Sequence, residues 1–390
     1  MTETIAARRW LIGNEIYRRM SFPPRHPLAI ARVAPAIDLI RAMGWLEPEE
    51  YVDAEPASVE ALARFHHADY IAAVIEAERA QDVTAETRRR YRLGTIEAPI
   101  YAEMFRRPAT ACGASIRAAE LVQVGGIAFS PASGTHHGRP NRASGFCFFN
   151  DPVLGLMRLL DFGIERVLYV DIDAHRGDGV EDAFAGDPRV LTLSVHEAGR
   201  WPDHASGARP RPASATDFAI NIAVEPGFND DEMQYLVDQA MLPVAAAYRP
   251  QAIMLQAGAD ALADDPLSKL ALSNRGHWLV AAALRDFVAA RNPPRLIATG
   301  GGGYNPWSVA RCWAGLWATL CATPIPDHLP DAAEAVLRKL TWNRAAGVDP
   351  PQHWFTTLAD RPRHGPVRSE IRTAVVKAIA TAAGFGLRAA

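Results

Sequence analysis

Two stretches, "RVLYVDI" at 166–172 and "QAIMLQA" at 251–257, carry consecutive apolar residues where a strand exposed on one face would alternate with polar ones. Strands of that kind need cover on both faces, and the chain supplies it. From about Gly126, short β-branched runs ("GGIAFS", "RVLTLSV", "DFAINIAV", "RLIATG") alternate with longer amphipathic segments, among them "DPVLGLMRLLDFG", "DEMQYLVDQAMLPVAAAY" and helices over about 273–290 and 306–321. This alternation predicts an α/β fold: a single domain, with a largely parallel, doubly wound sheet flanked by helices. The first 125 residues read as mainly helical after a strand at Trp10–Ile12, with "HPLAIARVAPAIDLIRAMG" stopping at Gly44 and one or two helices in "SVEALARFHHADYIAAVIEA". After Thr323 the prolines of "PIPDHLP", "DPPQHW" and "RPRHGP" predict surface helices and loops. No linker or repeat divides residues 1–390.

The composition excludes several classes. With 41 basic and 44 acidic residues the net charge is -3, which gives no footprint for nucleic acid or an anionic membrane. Four cysteines, none in a C-x-x-C pair, read as reduced thiols. The N-terminal stretch lacks a signal-peptide core and no run of about 18 apolar residues appears. A cytoplasmic location is expected, and homo-oligomerisation is left open.

Parallel sheets bind ligands at the carboxyl ends of their strands. The residues just past each predicted strand are chemically selective: His136 and His137 after "GGIAFS", "DIDAHRGD" after "RVLYV", "HE" after "RVLTLSV", Asp260 after "QAIMLQA", and four glycines with Tyr304 after "RLIAT". Each alone has an ordinary reading: an aspartate caps a helix, a histidine pair sits in a solvated turn, glycines make a flexible connection, and a tyrosine covers a core. Five coincidences on one rim argue for a site. Asp173 and His175 are two apart, so in extended chain their side chains point the same way. With Asp260 they make a three-ligand set that leaves room for water, as a catalytic zinc (Zn2+) site requires, while iron(II) (Fe2+) or manganese suits the same donors. Such an ion activates water and polarises a carbonyl, which makes hydrolysis the natural reaction. His136 and His137 then serve as general base and acid, with Asp171 and Asp178 placed to orient them. Tyr304 is the candidate oxyanion donor, a role worth on the order of 3 kcal/mol.

The segments "GTHHGRPNRASGFCFFND", "YVDIDAHRGDGVEDAF", "SVHE", "NIAVEPGFNDDEM", "QAGADAL" and "TGGGGYN" occur in the order and rough spacing of the zinc-dependent histone deacetylase family. The chain looks most like its bacterial acetoin-utilisation-type members, over about residues 10 to 325, with 326–390 as a C-terminal extension. The resemblance implies the arginase-deacetylase fold and removal of an acyl group from an amine, most often the ε-amine of lysine in a peptide or protein. An acylated polyamine is the alternative substrate. Position by position it makes Asp173, His175 and Asp260 metal ligands, and His136 and His137 the tandem histidines backed by Asp171 and Asp178. Tyr304 becomes the oxyanion donor. Phe146, Gly145 and Gly302 would line the narrow channel, and Glu97 would hold substrate at the rim. It also implies structural potassium (K+) held by Asp171, Asp173, His175, Ser194 and Val195, and a second such site near Phe184, Asp187, Val190 and Phe218.

Two departures stand out. Arg176 occupies the place of a second histidine, where its charge either depresses a neighbouring histidine's pKa, pairs with an acid, or turns outward into a salt bridge. After "SVHE", "AGRWPDHASGARPRP" replaces the usual aromatic-proline-glycine turn. Here Trp201 would supply the missing wall, and Asp203 and His204 would bring polarity to an apolar region. An acidic mouth at Asp203 would favour a cationic substrate. Two other functions compete with the deacylase. An arginase-like ureohydrolase expects a second cluster of metal ligands, for which "GADALADDP" offers little, and a non-catalytic acyl-amine-binding module expects loss of a ligand or of Tyr304.

Overall fold

The computed structural model describes residues 8–203, 218–342 and 349–387. Among these, eight strands form one sheet: β1 (Arg9–Gly13), β2 (Tyr51–Asp53), β3 (Gly126–Ser130), β4 (Val167–Asp171), β5 (Val190–Glu197), β6 (Ala219–Val224), β7 (Ala252–Gln256) and β8 (Arg295–Thr299). Their spatial order is β2-β1-β3-β8-β7-β4-β5-β6, and every pairing is parallel. The apolar runs do what their pattern demands. In β4, Leu168 and Val170 enter the larger core with the helices Asn274–Ala289 and Pro306–Leu320. Val167 and Tyr169 face the other way, toward the helices Arg106–Val122 and Asp151–Asp161. With both faces covered, each strand can be apolar at every position.

The register brings the carboxyl ends of the central strands level. Asp171 pairs with Ser194 of β5 and with Gln256 of β7, and Gln256 pairs with Thr299 of β8. The next helices in the chain begin at capped positions beside this rim. Asn150 accepts from the Val153 N–H, and Asn305 accepts from the N–H groups of Trp307 and Ser308, so each satisfies donors that a helix start leaves free.

Two expectations need amendment. The sequence reading places no strand at Tyr51–Asp53, a three-residue edge element too short to show a period. The tail is also more than surface helices and loops. Ile371, Val375, Ala378 and Ala382 of the helix Ser369–Gly384 join the larger core, against the edge at β6. Fully buried Arg311 donates to the Thr357 carbonyl at 2.8 Å and pairs with Asp360 at 2.7 Å. An edge strand with apolar residues needs cover, and a distant amphipathic helix provides it.

His66, from the N-terminal helical region, ties the loop after β3 in place. Its Nε2 accepts from the Asn150 N–H at 3.0 Å, so its Nδ1 carries the proton, 3.0 Å from the Arg139 carbonyl. Burial lowers this ring from 6.5 to about 4. Because the unfolded chain takes up the proton first, the stabilisation is complete above pH 6.5 and is lost as pH falls toward 4, about 3 kcal/mol in all. Urea denaturation across that window should therefore show a steeper fall in stability for the wild type than for His66→Gln. Equal slopes would contradict the assignment.

Candidate active site

Strand β4 ends at Asp171, and the chain then bends through Asp173–His175 instead of continuing extended, so it is this bend that brings the two side chains together. Asp260 arrives from the short turn Ala259–Ala261 after β7. One ligand atom from each of the three lies within 4.8 Å of the others. His175 Nδ1 is 2.9 Å from Asp260 Oδ2 and 3.1 Å from Asp173 Oδ1, so an imidazole nitrogen and two carboxylate oxygens converge on one point. That donor set and geometry fit a divalent cation. Both carboxylates are buried. Burial pulls His175 down, but Asp260 and Asp173 outweigh it and raise the ring to about 10. Burial and the charge of Asp173 push Asp260 up.

The neighbouring backbone is shaped to this cluster. Gly302 donates its N–H to Asp173 Oδ2 at 2.8 Å, and a Cβ on Gly302 would stand 2.1 Å from Asp260 Oδ2. A Cβ on Gly258 would stand 2.0 Å from Asp173 Oδ2. Glycine is required at both places by close approach. Gln256, buried at the end of β7, donates to Asp173 Oδ2 at 2.9 Å and accepts the Gly258 N–H at 2.9 Å.

The tandem histidines lie beside the ligands with ring centroids 3.9 Å apart. Each Nδ1 is held by its expected carboxylate, His136 by Asp171 and His137 by Asp178, both at 2.7 Å. Burial opposes charge on His136, but Asp171 and Asp173 raise it to about 9. Burial and the charge of His136 lower His137 to about 4. Asp178 is also gripped by Arg139; despite burial, its partners bring it down to about 2. Tyr304 is buried, and its phenol is pushed well above the usual range by burial and the charge of Asp260, so it remains a hydrogen-bond donor. Its own N–H donates to Asp265 Oδ2 at 2.6 Å, while Arg32 donates to the carbonyls of Gly301 and Gly303.

A cavity of about 720 Å³ opens over this cluster, lined by Glu97, His137, Gly145, Phe146, His175, Trp201 and Tyr304 among others. Trp201 packs edge-on against His137 at 4.6 Å, and a Cβ on Gly145 would meet its ring at 2.5 Å. Phe146 packs edge-on against Tyr304 at 5.9 Å. Gly302 belongs to the deeper part of the site, with His136 and Asp173.

The expectation of an acidic mouth at Asp203 is corrected. Asp203 is absent from the cavity lining; its Oδ1 accepts from Arg176 Nε at 2.8 Å, so the carboxylate is turned away and neutralised. Arg176 is thereby also resolved, as a pairing partner of acids. His204 lies outside the described residues.

For the implied potassium, β4 and β5 bring Asp171 and Ser194 side by side, with Val195 next to Ser194, and Asp171 Oδ1 accepts the Asp173 N–H at 3.1 Å. Phe184, Asp187, Val190 and Phe218 gather at the opposite end of β5, where Asp187 chelates Arg189.

Sequence reasoning passed over Gln256, Asn150, Asp151, Arg139 and Asp265. Asn150 Nδ2 donates to the carbonyls of His136 and Gly138, and Asp151 accepts the N–H groups of Gly134 and Thr135, so both shape the histidine loop. An amide ending an otherwise apolar run, as Gln256 does, was the available signal.

Residues 26–320 match the histone deacetylase domain. Histone deacetylase 9 of Arabidopsis thaliana is 36% identical over 316 residues, 80% of this chain and 72% of that protein. Histone deacetylase 2 of Oryza sativa subsp. japonica is 36% identical over 331 residues, 82% of this chain and 62% of that protein. Acetoin utilization protein AcuC of Bacillus subtilis (strain 168) is 32% identical over 348 residues, 88% of each. A crystal structure of a histone deacetylase homologue from Aquifex aeolicus, and one of a homologue complexed with SAHA, each superpose with a TM-score of 0.87 at 33% identity, covering 95% of this chain and 99% of the other.

Because a side chain at position 302 would collide with both carboxylates, Gly302→Ala should lower zinc affinity at least tenfold, read by competition with a chromogenic chelator, with far-UV circular dichroism unchanged. Undiminished affinity would place the metal elsewhere.

Proposed function

The chain belongs to the histone deacetylase family, and on that premise we propose that it hydrolyses the amide of an Nε-acetyl-lysine side chain in a peptide or protein. The observation that carries this reading is the convergence of Asp173, His175 and Asp260 beneath a channel walled by aromatic side chains, with the tandem histidines and Tyr304 at its base. A divalent ion held by those three residues would supply an activated water and a polarising charge. Zinc suits the donor set, and iron(II) is the alternative.

The protein's own groups do the rest. His137, held by Asp178 and lowered by burial, would accept the proton of the attacking water and pass it to the departing amine. His136, held by Asp171, would stand beside the reacting centre as the other of the tandem rings. The Tyr304 hydroxyl donates to the oxygen that gains charge as the carbonyl is attacked, and burial keeps it protonated for that role. Phe146 and Trp201 exclude water from the alkyl chain. A structural potassium held by Asp171, Asp173, His175, Ser194 and Val195 would brace the end of β4.

A lysine side chain in a peptide is preferred to an acylated polyamine because the mouth is not acidic overall. Glu97 is accompanied there by Lys269, and Glu197 is chelated by Arg200. A ureohydrolase reading would need a second ligand cluster, and among the described residues the metal-ligand group is Asp173, His175 and Asp260. The retained Tyr304 favours catalysis over a binding module.

Metal-depleted protein should be inactive toward acetyl-lysine peptides, recover on reloading with zinc or iron(II), and be inhibited by SAHA. Tyr304→Phe should lower kcat by about 10² to 10³-fold. Hydrolysis independent of metal, or a Tyr304→Phe variant at wild-type rate, would contradict the mechanism.

A further inference from the structure

The loop that carries Trp201 is held by charge where an apolar turn was expected. At one end Glu197 chelates Arg200 at 2.5 and 2.9 Å, and Glu197 Oε2 also accepts the Lys269 N–H at 2.8 Å. On the far side of Trp201, Arg176 Nε donates to Asp203 Oδ1 at 2.8 Å, and the Asp203 N–H donates to the Arg200 carbonyl at 3.0 Å. The second arm of Arg176 donates from Nη1 to Glu181 Oε2 at 3.0 Å, and Asn221 of β6 donates to the same oxygen at 3.0 Å. Glu181 lies on the helix Asp178–Ala183, whose first residue holds His137. His196 Nε2 lies 3.9 Å from Asp203, but burial keeps that ring at about 4 and therefore neutral. Arg176 is thus the charge that answers Asp203.

We propose that Arg176 is a positioning residue for the substrate channel: its guanidinium clamps the Trp201 loop to the helix that orients His137, and so sets the distance between the Trp201 and Phe146 walls. The geometry suits a guanidinium in particular. Its two donors diverge to two carboxylates from different elements, and the three side chains are only 13 to 19% exposed, so water replaces the bonds poorly. A histidine at this position could not reach both acids. Removing the clamp leaves Asp203 with no countercharge and lets the loop turn it toward solvent, which carries Trp201 off the channel. The metal ligands and the histidine pairs use other contacts and stay in place, so the loss falls on substrate binding.

The kinetic test rests on the deacetylase reading. Arg176→Met should raise KM for an acetyl-lysine peptide about tenfold while kcat stays within about threefold. Asp203→Asn should shift KM in the same direction, and the double variant should be no worse than the worse single one. Arg176→Lys should fall between wild type and Arg176→Met. An independent arm needs no activity: with 5-fluorotryptophan in all nine tryptophan positions, the resonance that disappears in Trp201→Phe identifies Trp201. That resonance should move or broaden in Arg176→Met while those of the core tryptophans hold. A fall in kcat with KM unchanged, additive single effects, or an unmoved Trp201 signal would each overturn the clamp. A wild type that fails to deacylate after metal reloading would overturn the function and leave the fluorine result to decide the clamp.

Discussion

Two buried carboxylates sharing one imidazole nitrogen set the terms for the rest of this molecule. Asp173 and Asp260 lose their hydration and repel one another across less than 5 Å, an interaction on the order of 3 kcal/mol even at an effective dielectric of about 20. Such a pair persists only if the surroundings offset the charge. Donors therefore crowd around it: Gln256, the N–H of Gly302 and the N–H of His175 on Asp173, and the N–H of Ala174 on Asp260. A divalent cation at this point would complete what these neutral donors begin.

The parallel sheet makes this concentration feasible. Its central strands end level, so residues far apart in sequence meet at one rim. Asp171 shows how tightly fold and chemistry are joined: one oxygen accepts from Tyr169 and holds His136, and the other accepts the N–H of Asp173. The same carboxylate thus fixes the ring proposed for catalysis and the backbone of a proposed metal ligand. Asn150 and Asn305 likewise cap helices while bounding the histidine loop and the tyrosine turn. Moving either cap would displace a reactive group as well as loosen a helix.

Much of this was legible in the chain. The apolar runs of β4 and β7 announced two covered faces, and the His, Asp and Tyr residues just past the strands announced a common rim. The glycines before Tyr304 read only as a turn, and the bend at Asp173–His175 and the close approach of Gly302 to Asp260 are features of the folded chain. What stayed hidden depends on contacts between distant segments. The pairing of Arg176 with Asp203 spans a turn with no regular period, and without it the acid read as part of the mouth. His66 is one of two adjacent histidines in a helical stretch, and nothing local marks it as the ring that pins Asn150. The helix Ser369–Gly384 shows an amphipathic pattern but not its partner, because which sheet edge needs cover is decided by the whole topology.

The central claim is that Asp173, His175 and Asp260 together grip one cation. X-ray diffraction from zinc-soaked crystals at the zinc absorption edge tests it most directly. The account predicts a single strong anomalous peak within about 2.0–2.2 Å of one His175 nitrogen and an oxygen from each aspartate. A peak at other residues, or none at these three, would contradict it.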